Sequence, residues 1–456
     1  MMLRIPVLFS ATIVVSFIVL IALPVWRLYG DFVVTDKQRR RQECACEGDL
    51  RYHGFNTSTA AAAAAAAAPD ENPPGSDVVR EENCDTRLFP QGHWNRVARG
   101  THIIRWNSTG HHMRYGTIAV QHAIWRHQHP KSCKRKKFLV YKASGNGNGI
   151  GSMLHKATIL LQAALDLDRI LVFYPQRHGQ WLDGPFCVGA RTLDSCYFEP
   201  ISSCSIRTAM GRRTWENTAW LDAITYGRNS ERTLKDDCFT FGAIFLFRST
   251  PFMFHELLAQ GNISIASYYW WRAQGVAYLV RPNARTMREL EYRRWEVFQN
   301  ETIEEGTLSV HVRRGDKGKE STLAPDEVYL ATADAVVRDN PDSVKRSIFL
   351  STEDASTVQF FSALSNWTVR WTNVRRQSRD YNGGTTGFAQ LVGWNEEFLN
   401  SLLSLQLALE CNAWVGMISS NWNRLIDELR STIRCKSDRP YVDVFVGSNI
   451  KDYDWR

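Results

Sequence analysis

The feature that most limits how this chain can fold is an alternation that begins at Thr307. Short apolar runs at Leu308 to Val312, Ser347 to Ser351, Thr368 to Trp371 and Ala413 to Ile418 read as strands. Pro325 to Val337, Ala355 to Ala363, Glu397 to Cys411 and Trp422 to Thr432 carry apolar residues at helical spacing. This alternation predicts a parallel, doubly wound sheet. A shorter unit with the same pattern comes earlier. Phe138 to Ala143 reads as a strand, Gly145 to Gly151 as a glycine-rich loop, Ser152 to Leu167 as a helix and Arg169 to Pro175 as a second strand. The stretch 176–306 is rich in tryptophan and gives no clear topology.

In parallel sheets, ligands bind beyond the carboxyl ends of the strands. That rule places Arg313 and Arg314, Glu353 and Asp354, and Ser419 to Asn421 beside a ligand. The run His311-Val312-Arg313-Arg314-Gly315-Asp316-Lys317 brings three cations out of one strand. They repel each other unless a multiply charged anion sits among them, and a guanidinium can grip two phosphate oxygens at once. A leaving nucleoside diphosphate is such an anion, and stabilising its charge would speed glycosyl transfer. On charge alone, the run fits equally well a salt-bridged surface cluster in which Asp316 pairs the arginines.

The loop containing Gly149 and Gly151 lets a ligand approach the backbone and the free N–H groups of the next helix. Its spacing is neither G-x-G-x-x-G nor a P-loop. His155, in the first turns of that helix, either faces the site or packs structurally. Transfer to a hydroxyl needs a carboxylate to take the proton, and Asp316, Glu320, Glu353 and Asp354 are the candidates. Glu353-Asp354 reads equally well as a helix N-terminus favoured by the macrodipole. The D-x-D pairs Asp166/Asp168 and Asp452/Asp454 lie at the wrong end of a helix and near the terminus, so neither is read as a metal site.

Ile5 to Trp26 contains no charge and is long enough to span a ~30 Å hydrocarbon core. Its apolar length and the lack of an A-x-A site favour an uncleaved signal anchor over a cleaved signal peptide. The basic residues after the segment, Arg27 and Lys37 to Arg41, would by the positive-inside rule keep the body in the cytosol. Sequons at Asn56, Asn107, Asn262, Asn300 and Asn366 oppose this, as do ten cysteines without zinc spacing. The expectation is therefore a type II Golgi membrane protein with a lumenal body and disulfides. Residues 1–4 are a short tail, 5–26 the anchor, and 27–83 a low-complexity stalk with the alanine tract Ala60 to Ala68. An N-terminal α/β domain over 84–306 and a C-terminal Rossmann-like domain over 307–456 follow. The net charge of +8 is modest, and the basic run Lys131 to Lys137 reads as a solvated face. No nucleic-acid-binding pattern accompanies it, so nucleic acid is not expected as a partner.

Taken together, the motifs resemble the α1,6-fucosyltransferases. Gly147 to His155 (GNGIGSMLH) is similar to that family's glycine-rich stretch, and His311 to Glu320 (HVRRGDKGKE) to its H-V-R-R-x-D-K signature with a glutamate shortly after. Ser351 to Asp354 and Ser419 to Arg424 resemble its T-D-D and S-S-Q…R segments. The resemblance implies a GT-B-like fold, with two Rossmann-like domains facing a cleft. It also implies GDP-fucose as donor, a glycan or glycoprotein acceptor, inversion at the anomeric carbon and no cofactor or metal. By position, Arg313 and Arg314 would hold the diphosphate and fucose, with His311, Gly149, Gly151 and His155 also on the donor side. Asp316, Lys317 and Glu320 would surround the transfer centre, Glu320 being the base. Glu353 and Asp354 would face the guanosine, and Ser419, Ser420 and Asn421 the phosphates. The sequence departs from the family at Ser404, where the family has an aspartate, and at Asn421, where it has glutamine. The family's long N-terminal helices and SH3-like module find no counterpart here. An α1,2- or protein O-fucosyltransferase, and a non-catalytic lumenal glycan- or nucleotide-sugar-binding protein, are the alternative readings.

Overall fold

The computed structural model describes residues 102–104, 112–142, 149–175, 180–210, 218–222, 250–319, 322–378, 381 and 383–444. The expected anchor, the stalk, Glu320 and the Asp452/Asp454 pair lie outside the described residues.

Two parallel sheets carry the fold. The smaller has the order β3-β2-β4, built from β2 (Lys137–Lys142), β3 (Arg169–Phe173) and β4 (Thr218–Asp222). The larger has the order β1-β9-β8-β5-β6-β7. Its parallel strands are β5 (Leu308–Val312), β6 (Ser347–Thr352), β7 (Thr368–Arg370), β8 (Ala413–Gly416) and β9 (Tyr441–Asp443). β1 (His102–Ile104) adds antiparallel to β9 at the edge. All five residues of β5 are buried, as a central parallel strand requires. The chain runs from β5 outward to β6 and β7, then returns to β8 on β5's other side. The connections therefore diverge between β5 and β8, which makes a topological switch point, the place where such sheets bind ligands.

Two long helices flank the start of the small sheet: α1 (Thr117–Gln128) before β2, and α2 (Ile150–Asp166) between β2 and β3. α3 (Tyr268–Leu279) and α4 (Ala284–Phe298) fill the region that the sequence left without topology. All but one of α3's residues are buried, so it has no polar face to reveal its helical period. The larger sheet carries α5 (Asp326–Asp339), α6 (Ala355–Ser362), α7 (Gly384–Val392), α8 (Trp394–Glu410) and α9 (Asn421–Ser431). The largest core joins both units, since Leu160 of α2, Trp271 of α3, Phe398 of α8 and Leu425 of α9 share it. A second core, with Val310, Tyr329 and Leu350, fills one face of the large sheet.

Between described residues, two disulfides join Cys133 to Cys204 and Cys187 to Cys196, which resolves the cysteine cluster near β3. The Lys131–Lys137 run is largely exposed ahead of β2. Among the described residues, no helix is long and apolar enough to cross a membrane.

Candidate functional site

A cavity of about 270 Å³ opens beyond the carboxyl ends of β5, β6 and β8, walled on one side by the start of α2 and on another by α7 and α8. Gly149, Gly151, His311, Arg313, Asp316, Lys317, Glu353, Ser420 and Asn421 all line it. Residues distant in sequence, named as candidates from their pattern alone, are thus brought to one place.

Two helix N-termini converge there. α2 starts after Gly149 and α9 after Ser420, and neither has a side-chain cap on its first N–H groups. Uncapped amides and the positive end of each helix dipole favour an anion between them. Their approach depends on Gly151. A Cβ there would lie 3.0 Å from the Asn421 carbonyl carbon and 3.1 Å from its oxygen. Asn421 fastens the junction: one end of its side-chain amide lies 2.6 Å from Ser152 Oγ and the other 2.8 Å from His155 Nδ1. His155 does not line the cavity. Its Nε2 lies 2.8 Å from Glu428 Oε2, and burial, then Arg272, depress its pKa. A neutral imidazole satisfies both contacts only with the NH₂ of the Asn421 amide facing Nδ1. His155 therefore orients Asn421 from behind.

On the β5 side, Lys317 and Arg313 both stand at the wall, and Arg313 is the one clamped by two carboxylates. Its guanidinium donates to Glu353 and to Asp316, to the Arg314 carbonyl at 2.8 Å and to Thr385 Oγ1 at 3.3 Å. Burial works against its charge, but Glu353 and Asp316 raise its pKa, so it stays cationic. Glu353 also accepts the Arg314 backbone N–H at 2.6 Å. Gly315 sits at φ +58°, a left-handed turn that brings Asp316 back towards Arg313. Asp316 does pair Arg313, as the salt-bridged reading has it, and the pair forms part of the cavity wall. His311 lies in the cavity with its Nδ1 lacking a hydrogen-bond partner. Burial pushes its pKa down to about 4, so the imidazole is neutral.

Besides His155, three expected donor contacts sit elsewhere. Arg314 turns away from the cavity onto Asp326 and the Ala324 carbonyl, over the Tyr329 ring. Successive residues leaving a strand point to opposite sides, so both arginines cannot face one ligand. Asp354 is buried as the N-cap of α6, accepting from Thr357 N at 3.1 Å. Ser419 accepts from Arg424 through its carbonyl at 2.8 Å and does not line the cavity. Asp166 accepts Phe252 N–H at 2.8 Å, and Asp168 lies 3.5 Å from His127. No group of metal-holding side chains occurs among the described residues.

A family model described as "Alpha-(1,6)-fucosyltransferase N- and catalytic domains" matches residues 110–367, more than half of the chain. The chain belongs to the α1,6-fucosyltransferase family. It is thereby a GDP-fucose-dependent fucosyltransferase. Solved structures similar to it include NodZ α-1,6-fucosyltransferase, from Bradyrhizobium, soaked with GDP-fucose; identity is 16%, covering 65% of this chain and 93% of that one, with a TM-score of 0.35. A point mutant of Arabidopsis thaliana FUT1 in complex with GDP is 11% identical over 68% of this chain and 73% of that one, at 0.35. POFUT1 in complex with GDP is 12% identical over 68% and 98%, at 0.33.

The fucosyltransferase cavity also contains residues that its motifs did not reveal. Arg375 and Arg376 line it from the loop after β7, and Thr385, Phe388, Glu397, Asn400, Ser401 and Ser404 from α7 and α8. Arg376 braces its loop, donating to the Thr372 carbonyl at 2.7 Å and the Thr352 carbonyl at 3.1 Å. Ser404, the departure from the family pattern, faces the cavity. Residues 397, 400, 401 and 404 recur at helical spacing on one face of α8, the only signal that could have grouped them.

Proposed function

We propose that this fucosyltransferase moves L-fucose from GDP-fucose to a glycan hydroxyl with inversion, α1,6-type, without a metal ion, using two Rossmann-like units that face a cleft in a GT-B-like arrangement. The convergence of the α2 and α9 N-termini with Arg313 around one cavity carries the reading. The diphosphate sits against the two sets of uncapped amides, with Ser420 and Asn421 at its side. Arg313 is already charged and held by two carboxylates, so it meets the charge that develops as the bond from anomeric carbon to phosphate oxygen breaks. That bond's electrons leave with GDP. The acceptor oxygen forms its new bond on the opposite face, and its proton passes to a carboxylate. Glu320, just past the described Gly315–Lys319 turn, is assigned that proton on the family pattern, with Asp316 and Lys317 beside it. Arg314 supports the wall through Asp326 instead of touching the sugar.

The same reading takes the chain as a type II Golgi membrane protein with its catalytic body in the lumen. The apolar Ile5–Trp26 segment supports it, as do the two disulfides and the exposed positions of the three described sequon asparagines, Asn262, Asn300 and Asn366.

The test is acceptor-dependent release of GDP from GDP-fucose with a panel of N-glycans and O-linked glycans, with and without EDTA. Release matched by fucosylated product, and unchanged by EDTA, is expected. Loss of activity in EDTA that Mn²⁺ restores would overturn the metal-free mechanism, and binding without turnover on any acceptor would favour the non-catalytic alternative.

A further inference from the structure

Between α1 and β2 the chain carries the basic run Lys131 to Lys137, five cations in seven residues. Lys131, Lys134, Arg135 and Lys137 are exposed, and Lys136 is half-buried. Lys134 and Arg135 form the corners of a turn, closed by the Lys136 N–H donating to the Cys133 carbonyl at 3.4 Å. The Cys133–Cys204 disulfide pins this turn to a second segment, where Arg207 adds a sixth, exposed cation three residues after Cys204. Ser203 fastens the same junction, its N–H donating to the Gln128 carbonyl and its hydroxyl to the Pro130 carbonyl, each at 3.3 Å. A surface that is merely solvated mixes both signs of charge. Here no Asp or Glu occurs from Thr117 to Lys142 or from Ile201 to Met210. None of the six cations makes an ion pair among the described residues. One carboxylate feels the run: Asp168 lies 3.5 Å from His127, and its pKa is lowered by His127 first and then by Lys136 and Lys137. Like charges held together in this way repel one another unless a polyanion joins them.

The surroundings choose among polyanions. None of the exposed large apolar side chains of the described residues lies in either segment, so neither segment stacks on a nucleic-acid base or enters a bilayer. β2 is paired on both sides, by β3 and β4, so it offers an acidic peptide no free strand edge. What remains is recognition through charge alone, of a polymer that carries an anion on successive units. We propose that Lys131, Lys134, Arg135, Lys137 and Arg207 form a binding surface for a sulfated polysaccharide. The surface lies at the amino end of β2, whereas the carboxyl end of β2 leads to Gly149 at the cavity. The six residues of β2 put about 20 Å between the two. A bound polymer therefore leaves the cavity open, and the chain can rest on a polysaccharide while it transfers fucose.

The test is titration of the detergent-solubilised full chain with heparin, and with poly-glutamate of matched total charge, at rising salt. The wild-type chain is expected to bind heparin the more tightly, with an affinity that falls as salt rises. Replacing Lys131, Lys134 and Arg135 together by serine should weaken heparin binding by roughly 10-fold, because three exposed charge contacts are lost. A control variant with Arg191, Arg288 and Lys345 replaced by serine loses the same net charge from exposed positions elsewhere and should stay within about 2-fold of wild type. Melting curves check that both variants fold, and fucose transfer to a small free glycan should be unchanged in both. Equal weakening in the two variants would show that heparin reads only overall charge and would overturn the assignment. So would a wild-type chain that ignores heparin or binds poly-glutamate as tightly. Loss of transfer in the folded patch variant would overturn the separation of this surface from the cavity.

Discussion

Arg313 and Arg314 are adjacent in sequence, and their surroundings assign them different work. Arg314 is buried on Asp326, and breaking a buried pair by removing one partner typically costs ~3–5 kcal/mol. Arg314→Ala should therefore lower the melting temperature markedly, while the variant still folded at low temperature keeps a donor KM near wild type. A large rise in KM with an unchanged melting temperature would return Arg314 to the donor. Gly151 is the other residue whose role is steric. Its Cβ would press on the Asn421 backbone, which has no flexible end to yield, and overpacking of this kind costs about 1–3 kcal/mol. Gly151→Ala should weaken GDP binding by spreading the two helix N-termini, checked by titration against GDP; unchanged affinity would mean the junction can shift without consequence. These local demands were partly legible in the sequence. A glycine before a helix and a cation after a buried strand each have a backbone reason visible in one dimension. Which of two successive arginines faces the ligand depends on where β5 ends, and a one-residue shift in that end reverses the answer.

At the level of elements, α9 shows where sequence reading reaches its limit. Its residues Asp427, Glu428 and Arg430 look like a solvent face, yet they are completely buried. The reason is mutual pairing: Arg430 donates to Asp427 at 2.8 Å, Tyr269 to Asp427 at 2.8 Å, and Arg272 to Glu428 at 2.9 Å. Tyr269 and Arg272 lie on α3, more than 150 positions earlier in the chain, so no local pattern announces them. This network carries His155, and through it Asn421 at the cavity. Burial alone would raise the Glu428 pKa, but Arg272 and His155 hold it at about 2, below its ordinary 4.5. A carboxylate depressed by folding adds stability that is complete above 4.5 and is lost as pH falls toward 2. Glu428→Gln should therefore be less stable than wild type near neutrality, by about 3–5 kcal/mol. The gap should narrow as pH drops below the ordinary value, measured as melting temperature against pH. A gap that stayed constant into acid would show that Glu428 is not ionised in the native state.

Across the whole molecule, the alternation after Thr307 revealed β5 to β8 of the large sheet, because buried parallel strands are nearly uniformly apolar, while the short strands β1 and β9 and the helix α7 went unread. The β5/β8 switch point then located the cavity. The long helices α3 and α4 and the inward face of α8 stayed hidden, since α3 lacks a polar side and α8's cavity residues acquire meaning only opposite β5. The two units also share one core, so the cavity between them is walled by packed helices on both sides. Fucose transfer then turns on this cavity, with Arg313 at its wall, being the place where the fucosyl donor reacts. Arg313→Ala tests that most directly, by kcat/KM for fucose transfer from GDP-fucose alongside a melting curve. Losing a charged contact to phosphate costs ~1.5–3 kcal/mol, so a drop of roughly 10- to 150-fold or more is predicted with the fold retained. Near-normal transfer by a folded Arg313→Ala protein would contradict the claim.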